Sequence, residues 1–313
     1  MRVFVAGATG AIGRRLVPLL VARGHDVVAM TRRPENEEGL RAAGARPVIA
    51  DALDPVSVRK AVVDARPDVV VHQLTSLSRA GSLRRFDRRF AATNELRTKG
   101  TDHLLEAAVA AGARRVVAQS YAGWPYAREG GLVKVEDDPL DPRPPRHMRE
   151  TLAALRHLEE AVLGTEGIEG LVLRYGAFYG PGTSIAEDGD LVELVRRRRF
   201  PVMGSGDGVW SFVHVDDAAT ATALAVEAGE PGVYNVVDDE PAPVRRWLPE
   251  LAAAVGAPPP RRVPAAVGRL AAGEVGVSLM TRVRGASNVK IKERLGWSPR
   301  YASWRSGFMT GLR

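Results

Sequence analysis

The segment Gly7-Ala8-Thr9-Gly10-Ala11-Ile12-Gly13 carries the densest chemical signal in the sequence. It separates a short β-type run, Arg2 to Ala6, from an apolar-periodic helical stretch, Ala11 to Ala22. That is the context in which a glycine turn holds the phosphates of a dinucleotide. One glycine permits the sharp turn, another lets backbone N–H groups reach a pyrophosphate, and a third lets helix and strand pack closely. The helix N-terminus adds partial positive charge. Gly7, Thr9, Gly10, Ala11, Ile12 and Gly13 are therefore the expected cofactor contacts, and the competing reading is a glycine-rich turn that has lost its ligand. After the second β-type run stand Thr31-Arg32-Arg33, where an acidic residue would bind the adenosine ribose of NAD. The planar fork of an arginine suits a ribose 2′-phosphate, so Arg32 and Arg33 favour NADP(H) and still allow NAD(H), unless they are only solvated loop cations. Asp51, followed by Ala52, either accepts from the adenine amino group or caps a helix.

Positioning these residues requires a sheet with helical crossovers. The β-type runs Arg2 to Ala6, Asp26 to Thr31, Pro47 to Ala50, Asp68 to His72, Arg114 to Gln119 and Gly170 to Arg174 alternate with longer helical patterns at Ala11 to Ala22, Val56 to Asp64, Phe86 to Ala111 and Arg149 to Leu163. Such alternation predicts parallel strands joined by helices. Consecutive apolar residues such as Val69-Val70-Val71 belong to strands covered on both faces. Pro18 removes an N–H from the first helical stretch at a cost of about 3 kcal/mol unless packing compensates. The texture changes after Gly180-Pro181-Gly182 and returns to strand and helix at Phe212 to Glu227. The expected fold class is thus α/β: a doubly wound, mostly parallel Rossmann sheet with a smaller C-terminal substrate lobe. Residues 1–175 with 211–237 are assigned to the dinucleotide-binding domain, and 176–210 with 238–313 to the lobe.

Taken in order, the motifs resemble the extended short-chain dehydrogenase/reductase family, relatives of the NAD-dependent epimerases and dehydratases. The resemblance rests on the glycine turn, Val71-His72-Gln73, Gly100-Thr101, Gln119-Ser120, Leu173-Arg174-Tyr175-Gly176, Tyr179-Gly180-Pro181-Gly182, Phe212-Val213-His214-Val215-Asp216-Asp217 and Leu295-Gly296-Trp297-Ser298-Pro299. It implies an NAD(P) cofactor with Gln73, Leu74, Tyr175 and Gly176 among its contacts, a substrate in the C-terminal lobe, and hydride transfer. The family's tyrosine and lysine, four residues apart, are absent: aligning Glu159 with the family's acidic residue puts Thr151 and Leu155 in their places, and a shift by one puts Leu152 and Arg156 there. The resemblance places Tyr121 at the family's serine/threonine position, where a phenol could donate to a carbonyl undergoing reduction or could only line the pocket. Tyr121, with Ser120 and Thr75 as polar helpers, forms the expected catalytic group; His147 and His157 are alternative acid/base candidates. Trp124, Tyr126 and Trp210 suit an apolar or aromatic substrate, or equally the packing of one lobe on the other.

Composition narrows the partners. The net charge of +7 is spread along the chain rather than gathered, which argues against nucleic acid. No cysteine occurs, excluding disulfides and thiolate metal sites, and no metal site is expected. No apolar run approaches the roughly 20 residues that span a bilayer, so no membrane partner is expected and the cytoplasm is the default location. A small-molecule substrate is the expected partner, and a homodimer is compatible with the chain. Three functions fit: an NADP(H)-dependent oxidoreductase of a small carbonyl or alcohol, a redox-neutral epimerase or dehydratase with tightly held cofactor, and a non-catalytic dinucleotide sensor.

Overall fold

Seven parallel strands make the central sheet of the computed structural model, which describes residues 1–76 and 83–313. They are β1 (Arg2–Ala6), β2 (Asp26–Thr31), β3 (Arg46–Ile49), β4 (Val69–His72), β5 (Arg115–Tyr121), β6 (Glu169–Tyr175) and β7 (Gly232–Val236). Their spatial order is β7-β6-β5-β4-β1-β2-β3. The chain reverses direction across the sheet between β3 and β4, which opens a crevice beyond the carboxyl ends of β1 and β4, the usual ligand position in such folds.

Side chains alternate across the strands and feed two cores. Val3, Val5, Val69 and Val71 face the layer of helices α1 (Gly13–Ala22) and α6 (Val215–Glu227). Phe4, Ala6, Val70, Val116 and Ala118 face the layer formed by α2 (Pro55–Ala65), α4 (Lys99–Ala110) and α5 (Arg149–Gly164). Burial on both faces explains the continuous valine runs. Pro18 is accommodated within α1 on its exposed side, while Leu16, Val17 and Leu20 are buried.

The structure departs from the sequence expectations at three places. The single helix expected over Phe86 to Ala111 is two, α3 (Phe86–Arg97) and α4, because Thr98 leaves helical geometry at φ −100°, ψ −90°. The sequence predicts a helix from near Ala218 capped by Asp216 or Asp217, but α6 begins at Val215 and neither caps it: the His214 side chain accepts from the Asp216 N–H, and Asp217 accepts the N–H groups of Arg300 and Tyr301. Ile291, Leu295 and Trp297, assigned to the lobe, pack in the core beside α1 and α6, with the Trp297 indole N–H donated to the Asp217 carbonyl at 3.2 Å. Otherwise the lobe has its own core, where Trp247, Trp304, Phe308 and Tyr179 meet edge to face or tilted around Phe212, assigned to the dinucleotide-binding domain.

Two buried polar groups anchor the strand ends. Arg174 of β6 makes two hydrogen bonds to Glu159 of α5, at 2.8 and 2.6 Å, and donates to the Tyr126 hydroxyl at 3.0 Å. His72 closes β4: its Nδ1 accepts from the Leu74 N–H, and its Nε2 lies 3.0 Å from the Thr101 hydroxyl. Burial drives the His72 pKa from 6.5 down to about 4.

Two stability outcomes follow. Arg174→Met should cost roughly 3–5 kcal/mol in urea unfolding because Glu159 is left buried and uncompensated, and a double variant that also carries Glu159→Leu should recover much of it; equal losses in single and double variants would refute the coupling. For His72, the folded state refuses a proton that the unfolded chain takes up below pH 6.5. Stability attributable to this group is therefore intact above that pH and falls by about 3 kcal/mol as pH drops to about 4. Unfolding free energies across that window should lose this component in His72→Gln, and an unchanged acid slope would contradict it.

Candidate active site

The turn from β1 into α1 meets the geometric demands of a pyrophosphate cradle. Gly7 has φ +96°, and a Cβ there would lie 2.6 Å from the Gln73 carbonyl oxygen at the end of β4. A Cβ on Gly13 would lie 2.2 Å from the Gly7 carbonyl, so only glycine lets the helix sit on the turn. No side chain caps α1, and no acidic residue occupies its first turn; the Arg14 and Arg15 N–H groups close on the Gly10 and Ile12 carbonyls, so the N–H groups left for an anion are those of Ala11, Ile12 and Gly13. Thr9 and Ala11 are half-buried, Gly10 is exposed and Ile12 packs in the core. Arg15 ties this turn to the lobe: it donates to the Ala11 carbonyl at 3.0 Å and to Pro181 at 2.9 Å, and it pairs with Asp216. A dinucleotide fits these residues.

Along the same edge the structure sorts the other expected contacts. Arg32 and Arg33 are exposed at the end of β2, with Arg32 3.8 Å from Asp51. Asp51 does not cap α2; Asp54 does, accepting from Val56 and Ser57. The Asp51 carboxylate instead accepts from the Leu53 N–H. Ala52 is buried and Leu74 half-buried against the core. Gln73 and Tyr175 turn inward: the Gln73 amide donates to the Tyr175 hydroxyl at 3.2 Å, which lies 2.7 Å from the Thr222 hydroxyl. Tyr175 is wholly buried, so its side chain is a core group rather than a cofactor contact. Gly176 is needed for packing, since a Cβ there would lie 2.7 Å from the Ser211 carbonyl.

Beyond the carboxyl end of β5 lies a cavity of about 180 Å³. Tyr121, Trp124, Phe86, Phe90, Trp210 and Arg97 are prominent in its wall, together with Thr151. Helix α3 delivers Phe86, Phe90 and Arg97 on one stripe, at spacings of four and seven residues. The rings form a continuous aromatic surface: Phe86–Phe90 at 4.5 Å, Phe86–Trp124 at 5.5 Å and Tyr121–Trp124 at 6.2 Å between centroids. Trp210 is oriented by its indole N–H, donated to the Leu279 carbonyl at 2.9 Å. Four polar side chains break this surface, Tyr121, Arg97, Thr151 and Ser211, and Arg97 is the cation among them. Burial raises the phenol to about 12, against the opposing effect of Arg97. The phenol is therefore neutral at physiological pH.

The remaining expectations are corrected by their surroundings. Ser120 points away from the cavity and donates to Glu159 at 2.6 Å, because adjacent strand residues face opposite sides. Thr75 is half-buried and is not part of the cavity wall. Tyr126 is wholly buried, its hydroxyl donating to Asn235 at 2.7 Å and accepting from Arg174, so it cannot touch a substrate. His147 is exposed, and His157 pairs with Asp102 at 2.7 Å on the outer face of α5, remote from the cavity wall. Thr151, which the sequence alignment sets at the family's tyrosine position, donates its hydroxyl to Asp87 at 2.7 Å and accepts from Asn94 at 3.1 Å. Leu155, in place of the lysine, is buried. Asp87 also accepts the Glu150 and Thr151 N–H groups and so caps α5 from another helix.

The sequence reading missed Arg97 and Asp87. The available signal was the Phe86, Phe90, Arg97 stripe, which sets a cation on the apolar face of a helix. Among the described residues no cluster suited to a metal ion occurs, and no helix is long and apolar enough to cross a membrane.

Comparison with known proteins fits this geometry. Residues 3–236 match the model of the NAD dependent epimerase/dehydratase family. The chain is 49% identical over 311 residues to a Streptomyces 3-diazoavenalumate denitrifying reductase, covering 98% of this chain and 99% of that protein. It is 31% identical over 268 residues to a 2-alkyl-3-oxoalkanoate reductase of Stenotrophomonas maltophilia, covering 82% and 77%. Among solved structures, the UDP-glucose 4-epimerase of Thermus thermophilus in complex with NAD superposes with a TM-score of 0.75 at 27% identity, covering 100% of this chain and 98% of that one. The match across the Rossmann sheet and the full-length likeness to reductases together establish that the chain is an enzyme and belongs to the NAD-dependent epimerase/dehydratase family, the extended short-chain dehydrogenases/reductases.

Proposed function

We propose that the protein is a nicotinamide-dependent reductase of a flat aromatic molecule held in the Tyr121–Trp124 cavity, in a reaction that makes no demand on a tyrosine–lysine proton relay. The observation that carries this reading is the fate of the relay positions. Thr151 is fixed to Asp87, and Leu155 is a core side chain. Neither supplies the phenol or the ammonium of such a relay. Reductive loss of a diazo group needs none: the carbon–nitrogen bond breaks with its electron pair passing to nitrogen, a hydride forms the new carbon–hydrogen bond, and dinitrogen departs. Charge and atoms balance for a diazonium carbon and one hydride. The relative named for denitrifying reduction of a diazo compound is 49% identical across nearly the whole chain, which supports the same class of substrate here.

The bound dinucleotide would supply the hydride. The protein's own residues do the rest. The cradle at Gly7 to Gly13 holds the pyrophosphate, the aromatic wall of Phe86, Trp124 and Trp210 aligns a planar ring, and the small apolar cavity keeps out water that would compete for a diazonium carbon. The neutral Tyr121 phenol donates a hydrogen bond to the ligand. Reduced NADP is the preferred form, supported by the exposed Arg32 and Arg33 at the end of β2.

A second reading, carbonyl reduction with Tyr121 as proton donor, has its own support in the placement of that phenol in the cavity wall and in the likeness to a named oxoalkanoate reductase. One substitution divides the two. With an aryl diazonium substrate, Tyr121→Phe should keep kcat within about threefold of wild type, whereas a general acid in carbonyl reduction would lose roughly 10²–10⁴-fold. Oxidation of NADPH and release of dinitrogen should proceed one to one. Dinitrogen-free oxidation with a ketone panel would replace the first reading with the second, and turnover without net oxidation of NADPH would reject both. For the cofactor, Arg32→Glu should shift the ratio of kcat/KM from NADPH toward NADH by about tenfold or more, the loss of a charge-assisted phosphate contact; an unaltered ratio would remove Arg32 from the proposal.

A further inference from the structure

Among the described residues three arginines are buried, and their surroundings differ sharply. Arg174, 5% exposed, has Glu159 on two of its nitrogens. Arg115, 6% exposed, has Glu169 and the carbonyls of Ala225, Ala228 and Gly229. Arg97, also 6% exposed, has no ion-pair partner among the described residues, and its Nη1 has no hydrogen-bond partner. The groups felt electrostatically around it are the Tyr121 phenol and the His72 ring, neither of them an anion. Asp87 of the same helix is engaged by Thr151 and Glu150. The residues outside the described set, Leu77 to Ser82, contain no aspartate or glutamate.

A buried cation without a counter-ion is costly. This one borders a cavity that is largely aromatic and apolar, at a point where a ligand can reach it. We infer that Arg97 is the specificity determinant of the cavity: it receives the carboxylate of a flat aromatic acid, and so selects acids over their neutral esters and amides. The inference rests on reading this cavity as the substrate site. A carboxylate is favoured over other anions because its two oxygens match the planar fork of the guanidinium. The volume of about 180 Å³ suits a single ring, since an engineered protein cavity of about 150 Å³ takes up benzene. The ring would lie against Phe86, Trp124 and Trp210, leaving the acid group to Arg97.

Equilibrium binding tests this without turnover. The full-length protein is titrated calorimetrically with 4-hydroxycinnamate and with its methyl ester, with and without NADP⁺, as wild type, Arg97→Lys and Arg97→Met. Wild type should bind the acid at least about tenfold more tightly than the ester, and Arg97→Met should abolish that preference while holding ester affinity within about threefold. Arg97→Lys should keep part of it. In the absence of ligand, Arg97→Met should melt at the same temperature as wild type or higher, because it removes an unpaired buried charge, so loss of acid binding will not be loss of fold. Equal affinity for acid and ester, no binding of either, an acid preference that survives in Arg97→Met, or a marked fall in that variant's melting temperature would each overturn the inference. An Arg97-dependent acid preference in a protein that reduces neither diazo nor carbonyl compounds would overturn the reductase reading alone.

Discussion

The carboxyl edge of the sheet takes its geometry from the buried pair between Arg174 and Glu159. Arg174 ends one strand, Glu159 sits on the helix covering its neighbour, and Ser120 and Tyr126 complete the network from β5 and the loop after it. The polar atoms of these four side chains all have partners, Tyr126 with Asn235 as well, the condition under which a low-dielectric interior turns polar groups into rigid fixtures. Because Ser120 is fixed inward, the next residue on the strand, Tyr121, is fixed outward into the cavity. The placement of the phenol is thus a consequence of an ion pair that never meets a ligand.

A second fixture lies beside the cavity. Asp87 reaches from α3 to cap α5 and holds the Thr151 hydroxyl. A residue of the cavity wall is thereby tied into the support of a helix. Retained around it are the cradle for a dinucleotide and a cavity lined by rings. In the proposed reaction the cradle serves hydride delivery, and no tyrosine–lysine pair is called on.

Much of this was legible in the sequence. The glycine spacing, the alternation of strands and helices and the absence of tyrosine and lysine on α5 all follow from local pattern, because backbone geometry and two-sided burial impose their demands on consecutive residues. What escaped was set by distant partners. Ser120, Tyr126 and Tyr175 are polar or aromatic residues beside the expected site, and only tertiary contacts reveal that each faces the core. Trp124 and Trp210 line the cavity, one of the two settings their residue type allowed. Arg97 was invisible for the opposite reason: an arginine in a helix rich in arginine reads as solvated until the burial of that face is known.

The break at Thr98 gives that arginine its setting. Read as one long helix, Phe86 to Ala111 would hold Arg97 in mid-span, where each carbonyl is already bonded to the next turn. Ended at Arg97, α3 gives its last carbonyls to threonine hydroxyls: Thr98 donates to the Asn94 carbonyl and Thr101 to the Arg97 carbonyl, both at 2.9 Å. The interruption of a helix thus closes its own backbone and leaves the Arg97 Nη1, at the cavity wall, unanswered.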